Sequence, residues 1–204
     1  GFDLAEKLNQ SRNGKEMKIL FLARLERAKG VFEAVDAIRI LQKKKIPVSF
    51  SIAGDGPVRH ELEKYVGGLA RREDSIRFLG YVRGSDKIKA FVDHDIYCFP
   101  TYGEGLPASV LEAMAFGLPI VTTPVGGIKD FFINGEMGYL SQTTNPEEIA
   151  ECLEKLISDK NHIRDIATYN YEYAKNHFMA SKVAEKLISL YRLTNSNIYQ
   201  RVKS

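Results

Sequence analysis

Met17-Lys-Ile-Leu-Phe-Leu-Ala23 is an apolar run of strand length, broken only by Lys18, and after a short loop Val31, Ala34, Val35, Ile38 and Leu41 recur at helical spacing. A strand followed by an amphipathic helix is the repeating unit of the chain. Val48 to Ala53 is the next strand, and Gly54-Asp55-Gly56-Pro57 closes it, with Pro57 suited to the first turn of a helix carrying Leu62, Tyr65, Val66 and Leu69. A third strand is predicted over Ile76 to Leu79. Ser85-Asp86 then caps a helix with Ile88, Phe91 and Val92, and further strands follow at Ile96 to Phe99 and Pro119 to Thr122. Parallel neighbours need a crossover, and the crossover helix covers a face of the sheet, so strands alternating with helices predict a parallel sheet covered on both faces.

Beyond Thr123 the units shrink to a short helix near Ile128 to Ile133, a turn at Asn134-Gly135 and a sixth strand at Gly138 to Leu140. Three helices are predicted to close the chain. Asn145-Pro146-Glu147-Glu148 opens the first, which runs to about Ile157; the others cover His162 to Ala174 and Ala180 to Leu193, before a polar tail from Thr194. The fold class is α/β: a doubly wound, parallel, six-stranded Rossmann-like sheet with C-terminal helices.

Composition narrows the class of function. The 204 residues, 44% hydrophobic and 27% charged, can bury one good core and are too apolar for a disordered chain. Lys and Arg number 29 against 26 acids, and the cations are scattered without a basic arm, so nucleic acid is not expected as a partner. Cys98 and Cys152 each lie in an apolar stretch and are read as buried free thiols from a reducing compartment. No run approaches the roughly 20 apolar residues that cross a bilayer, and the chain begins without Met, as a piece of a longer protein would.

In an open parallel sheet ligands bind beyond the carboxyl ends of the strands. After the first strand come Arg24, Arg27 and Lys29, just ahead of a helix, where cations oppose the helix dipole. An anion held between that helix start and the cations would explain them; solvated loop residues would too. After the fourth strand comes Pro100-Thr-Tyr-Gly-Glu104-Gly-Leu-Pro-Ala-Ser-Val-Leu-Glu112-Ala-Met-Ala-Phe-Gly117. Glu112 stands alone among apolar neighbours, so a buried structural partner and a ligand hydroxyl are its competing explanations. With Glu104 it could receive the paired hydroxyls of a sugar. Asp93-His94-Asp95 has the D-x-D form of some metal sites but precedes its strand, at the amino edge of the sheet, and is read as a structural turn. Gly54-Asp55-Gly56 is read as a tight turn, and Val125-Gly126-Gly127 either offers amides to a ligand or turns the chain. His60, His162 and His177 lack metal-type spacing and are placed on the surface.

Taken together, Ala23-Arg24 to Lys29-Gly30, Ile52-Ala-Gly-Asp-Gly-Pro57, Phe78-Leu-Gly-Tyr81, Asp95-Ile-Tyr-Cys-Phe-Pro100, Glu104 with Glu112, Gly117-Leu-Pro119 and Val125-Gly-Gly127 closely resemble the carboxyl-terminal half of family 4 glycosyltransferases. The resemblance covers nearly the whole chain. It implies one half of a two-domain GT-B enzyme: residues 1–14 the end of an interdomain linker, 15–195 the nucleotide-sugar-binding domain, 196–204 a frayed tail, with the N-terminal acceptor domain absent from the sequence. It further implies a retaining, metal-independent transfer without cofactor, from a UDP- or GDP-linked sugar to a glycan or lipid acceptor. The setting it suggests is surface-polysaccharide biosynthesis, in the cytoplasm and peripherally at the inner face of the membrane.

Carried onto this sequence, the catalytic set is Arg24, Lys29 and Glu104. Arg24 and Lys29 would neutralise the donor diphosphate, Glu104 would bind hydroxyls of the transferred sugar, and Glu112 those of the ribose. Gly80 to Val82, with Tyr81 and Val82 foremost, would hold the base. Gly54, Gly105, Leu106, Pro107, Ala108 and Ser109 complete the donor-binding set. Two departures from the family pattern stand out. Pro107 cannot donate a backbone hydrogen bond, so phosphate contacts fall to Ala108 or Ser109, and Asp130 stands where Glu is more usual. The alternative is a non-catalytic nucleotide- or phosphate-binding regulatory domain of the same fold, against which the retention of all four charges speaks. A phosphorylase is disfavoured by the lack of a pyridoxal-type lysine signature, and an epimerase by the spacing of the two Glu.

Overall fold

Each apolar run becomes a strand because a crossover helix seals it from water. The computed structural model describes residues 2–11, 16–67, 75–105 and 107–178. Within them β1 (Met17–Leu22), β2 (Val48–Ala53), β3 (Ile76–Gly80), β4 (Ile96–Phe99), β5 (Ile120–Thr122) and β6 (Gly138–Leu140) form one sheet in the order β3-β2-β1-β4-β5-β6. All its pairings are parallel. β1 is central, in register with β2 from Met17↔Val48 to Leu22↔Ala53 and with β4 at Ile19↔Ile96. The strand order reverses between β1 and β4, and a crevice opens at such a switch point.

The helices are α1 (Leu4–Ser11), α2 (Val31–Lys43), α3 (Arg59–Gly67), α4 (Gly84–Val92), α5 (Ala108–Ala115), α6 (Pro146–Ser158) and α7 (Lys160–His177). Right-handed crossovers put α2 and α6, which pack together, on one face of the sheet, and α5 and α7, also packed together, on the other. Phe21, Phe50, Tyr97 and Phe99 are fully buried between the layers; each apolar side chain of that size contributes about 1.5–3 kcal/mol. The outer part of the α4 side stays open: Ser49 and Ser51 are half-buried, and Arg77 and Leu79 are exposed. The predicted covering of both faces therefore holds for the centre of the sheet and fails at the β3 edge.

Local chemistry sets the boundaries. Asn145 accepts the amide of Glu147 at 2.8 Å and Pro146 opens α6 as predicted. Asp159 accepts the amides of Asn161 and His162, which moves the start of α7 ahead of the predicted His162 to Lys160. The predicted Ser85-Asp86 cap is corrected: Arg83 is the extended residue before α4, so Ser85 and Asp86 already lie in its first turn. The short helix expected over Ile128 to Ile133 is a 3₁₀ turn, Gly126–Asp130, too short and glycine-rich to propagate α-helical bonds. The helix expected over Ala180 to Leu193, the tail beyond it and Leu69 lie outside the described residues.

The opening segment, expected as linker, contains α1. Asp3 caps it by accepting the amides of Ala5 and Glu6, and Phe2 packs edge-on against Phe116. Lys7 is buried. Its ammonium donates to the carbonyls of Phe91 at 2.9 Å and Phe116 at 3.0 Å, at the carboxyl ends of α4 and α5, where helix dipoles favour a cation. Buried Asn170 donates to the carbonyls of Leu118 and Met137 and ties α7 to the approaches of β5 and β6.

Burial outweighs the nearby Asp95 and Asp93 and pulls Lys7 down to about 7. Unfolded, the same lysine titrates near 10.4, so between these values the unfolded chain holds the extra proton and stability rises with pH. In paired denaturant titrations, wild type therefore gains more stability than Lys7→Met from pH 7 to pH 10, while the difference between them is flat below pH 6.

Candidate functional site

The site begins where two loops are forced together. After β1 the chain forms a 3₁₀ turn, Arg27–Lys29, and ends it at Gly30 with φ +72°. A Cβ on Gly30 would lie 1.9 Å from the Pro100 carbonyl oxygen, so only glycine lets α2 start this close to the loop after β4. The two loops are stitched by the amide of Tyr102 and the hydroxyl of Thr101, both donating to the Ala28 carbonyl. Thr123, at the end of β5, donates in turn to the Thr101 carbonyl. The result is a partly buried ion pair, Lys29 Nζ to Glu104 Oε2 at 2.8 Å.

Around this pair opens a cavity of about 500 Å³ at the carboxyl ends of β1, β2 and β4. Leu22, Ala53 and Phe99 supply its apolar floor. Beneath them the Tyr97 hydroxyl donates to the Leu22 carbonyl at 2.8 Å, and burial pushes that phenol far above its ordinary range. Arg24, Lys29 and Gly54 line one side, Tyr81 and Val82 the next, and Glu104, Ala108, Ser109 and Glu112 the third. The fold thus brings together nine positions singled out in the sequence. Arg24 is exposed and pairs with Glu26 at 2.9 Å. Ala108 and Ser109 open α5, whose first turn carries no acid, so the positive end of its dipole reaches the cavity.

Gly105 and Pro107 do not line the cavity. Gly105 is exposed and its carbonyl accepts the Gly127 amide, while Pro107 is buried ahead of α5; Leu106 lies outside the described residues. Glu112 is not buried among apolar residues. Val110, Ala113 and Met114 take the core side of α5, and Glu112 points across the cavity to Lys87, Nζ to Oε1 at 2.6 Å, with the two side chains 32% and 41% exposed. Lys87 was not singled out in the sequence, nor was Asp55 or Phe99 as cavity lining. A cation early in α4 is the same anomaly against the helix dipole that marks Lys29, and it could have been noticed.

Other motifs do structural work. Asp93 pairs with Lys89, His94 Nδ1 lies 2.6 Å from the Ala90 carbonyl, and Asp95 accepts the Lys18 amide, so the D-x-D stretch is a turn. Among the described residues no group of three or more His, Cys, Asp or Glu could hold a metal ion. His60 and His177 are exposed, the latter stacked on Tyr173, and His162 is half-buried beside Tyr139. Asp130 is exposed and off the cavity. Both cysteines are free; burial pushes the Cys98 thiol well up and that of half-buried Cys152 to about 11.

A family model described as glycosyl transferases group 1 matches residues 5–177. The chain belongs to this family. It is 27% identical over 171 residues to the capsular polysaccharide biosynthesis glycosyltransferase CapM of Staphylococcus aureus, a match covering 84% of this chain and 44% of that protein. An uncharacterized glycosyltransferase of Haemophilus influenzae is 34% identical over 142 residues, covering 69% and 39%. The chain thus spans about half the length, or less, of these relatives. Among solved structures, the C-terminal domain of the group 1 family protein LpcC from Francisella tularensis superposes with a TM-score of 0.73 at 24% identity, covering 88% of this chain and 95% of that one. Anabaena HepE in complex with UDP-glucose superposes at 0.74 and 22% identity, covering 93% and 56%. The six-stranded Rossmann-like sheet is that of one half of a GT-B glycosyltransferase.

Gly126, at φ +50°, has the Glu104 carbonyl oxygen 1.5 Å from where its Cβ would be. Gly126→Ala is expected to cost about 2–4 kcal/mol through the strained φ and the displaced loop, read from urea denaturation as a lowered midpoint with an unchanged slope.

Proposed function

We propose that this chain is the donor half of a retaining, metal-independent glycosyltransferase that moves a sugar from a nucleoside diphosphate to a glycan or lipid-linked acceptor. The observation that carries the reading is the Lys29–Glu104 pair at the switch-point cavity, with Arg24 and Glu112 on its walls. Arg24 and Lys29 neutralise the diphosphate. When Lys29 turns to the phosphates, Glu104 is released to accept hydroxyls of the sugar, and Glu112 accepts those of the ribose. Tyr81 and Val82 hold the base, and the start of α5 at Ala108 and Ser109 meets the phosphate in place of Pro107, which has no amide hydrogen to give.

Transfer is driven by leaving-group stabilisation: negative charge grows on the diphosphate as the glycosidic bond breaks, and cations fixed beforehand lower the barrier without reorganising. No metal has a part in this scheme. Residues 1–14 end the linker from an acceptor domain, 15–195 form the donor domain and 196–204 its tail. The names of CapM and of the HepE complex favour a uridine-linked donor and a surface-polysaccharide product. The protein is placed in the cytoplasm, peripherally at the inner face of the membrane; among the described residues no helix is long and apolar enough to cross one.

Calorimetric titration with UDP, GDP and ADP in EDTA tests the reading. One nucleotide is expected to bind, Lys29→Ala to weaken it about 10- to 100-fold and Glu112→Ala about tenfold, the range of one charge-assisted hydrogen bond. Binding of none of the three, or binding only after a divalent cation is added, would sink it. No acceptor-dependent turnover is expected from these 204 residues alone, because on this reading the opposite wall that excludes water belongs to the part of the relatives that they do not span.

A further inference from the structure

We infer that Lys87 is a positioning residue for Glu112 and that the pair sets selectivity for a ribose over a 2′-deoxyribose. This rests on the donor-binding reading above, in which Glu112 accepts the ribose hydroxyls. Lys87 reaches from the first half of α4 across to α5, and its ammonium donates to Oε1 of Glu112 at 2.6 Å. Both side chains line the same cavity as Tyr81 and Val82.

The argument is one of desolvation. In the open cavity the pair is about one-third exposed, and an ion pair in that setting contributes little to stability, typically less than about 1 kcal/mol. A nucleoside settling over Glu112 removes that water. Ribose and base carry no positive charge, and in the donor-binding reading Arg24 and Lys29 are engaged by the diphosphate, so without a counter-ion of its own Glu112 would be covered as a lone carboxylate, at a high cost. Lys87 provides that counter-ion at the moment it is needed, since the attraction between the two grows as the local dielectric falls. Geometry adds a second effect. With Oε1 fixed by the ammonium, the carboxylate cannot rotate about its last bond, and Oε2 is held for the 2′-hydroxyl. A sugar lacking the 2′-hydroxyl leaves a covered acceptor unpaired, which is where discrimination of this kind is strongest.

The inference differs from a general attraction of anions, and the two separate in one experiment. The probes are whichever of UDP, GDP or ADP binds wild type, its 2′-deoxy analogue, and inorganic pyrophosphate, titrated calorimetrically into the full 204-residue chain. Lys87→Met is expected to weaken the ribonucleotide about 5- to 20-fold, to bring the ribonucleotide-to-deoxynucleotide affinity ratio close to one, and to leave pyrophosphate unchanged. Lys87→Arg, which keeps charge and donors, restores the ratio. In the double variant with Glu112→Gln, the Lys87→Met loss largely disappears, because the two act as one unit. A parallel fall in pyrophosphate affinity, or a ratio equal to that of wild type in Lys87→Met, overturns the inference. Failure of wild type to bind any of the three nucleotides overturns instead the donor-binding reading on which it stands.

Discussion

The approach of the loop after β1 to the loop after β4 is the constraint on which the rest of the site depends. Doubly wound topology brings these two strands side by side at the point where the order reverses, but adjacency of strands does not by itself make their loops touch. Gly30 does that, by letting the start of α2 slide against the Pro100 carbonyl where a side chain would collide. The carbonyl of Ala28 then has two donors waiting on the other loop. With these contacts made, Lys29 and Glu104, 75 positions apart, have no room to miss each other.

The same logic extends backwards through the helices. α4 and α5 present Lys87, Ala108, Ser109 and Glu112 to the cavity. Their carboxyl ends converge on a single ammonium, that of Lys7. One buried lysine thus sits behind both helices that carry Lys87 and Glu112, and it comes from α1, the segment that leads into the domain. Arranging two helix ends on one amino group fixes their relative angle more firmly than apolar packing alone, because the hydrogen bonds are directional.

Much of this was legible in the residues. The six strands were readable as short, mainly apolar runs bounded by loops, and α6 because Asn145 and Pro146 state where a helix begins. Three things were not. α1 has few apolar residues, and its stability comes from Lys7 and Phe2 meeting partners far along the chain. Glu112 looked buried because its sequence neighbours are apolar, yet a helix turns neighbours to different sides, and only the cavity explains its exposure. Lys87 escaped because its partner is 25 residues away on another helix. The alternation of strands with helices predicted a sheet covered on both faces, but Ser49 and Ser51 alternate with Phe50 and Ile52, a polar-out pattern that already marks the outer edge as partly open.

The pairing of charges around the cavity bears on how a ligand arrives. Arg24, Lys29 and Lys87 face Asp55, Glu104 and Glu112 across the same space, so the walls sum to no net charge and project little field into the solvent. An anion approaching from a distance is barely drawn in, and its encounter rate would depend only weakly on ionic strength. In the proposed reading attraction begins at contact, when Lys29 trades Glu104 for a group on the ligand while Lys87 keeps Glu112. Such a surface spends its electrostatics on residence time and on rejecting the wrong anion, and leaves the search to diffusion.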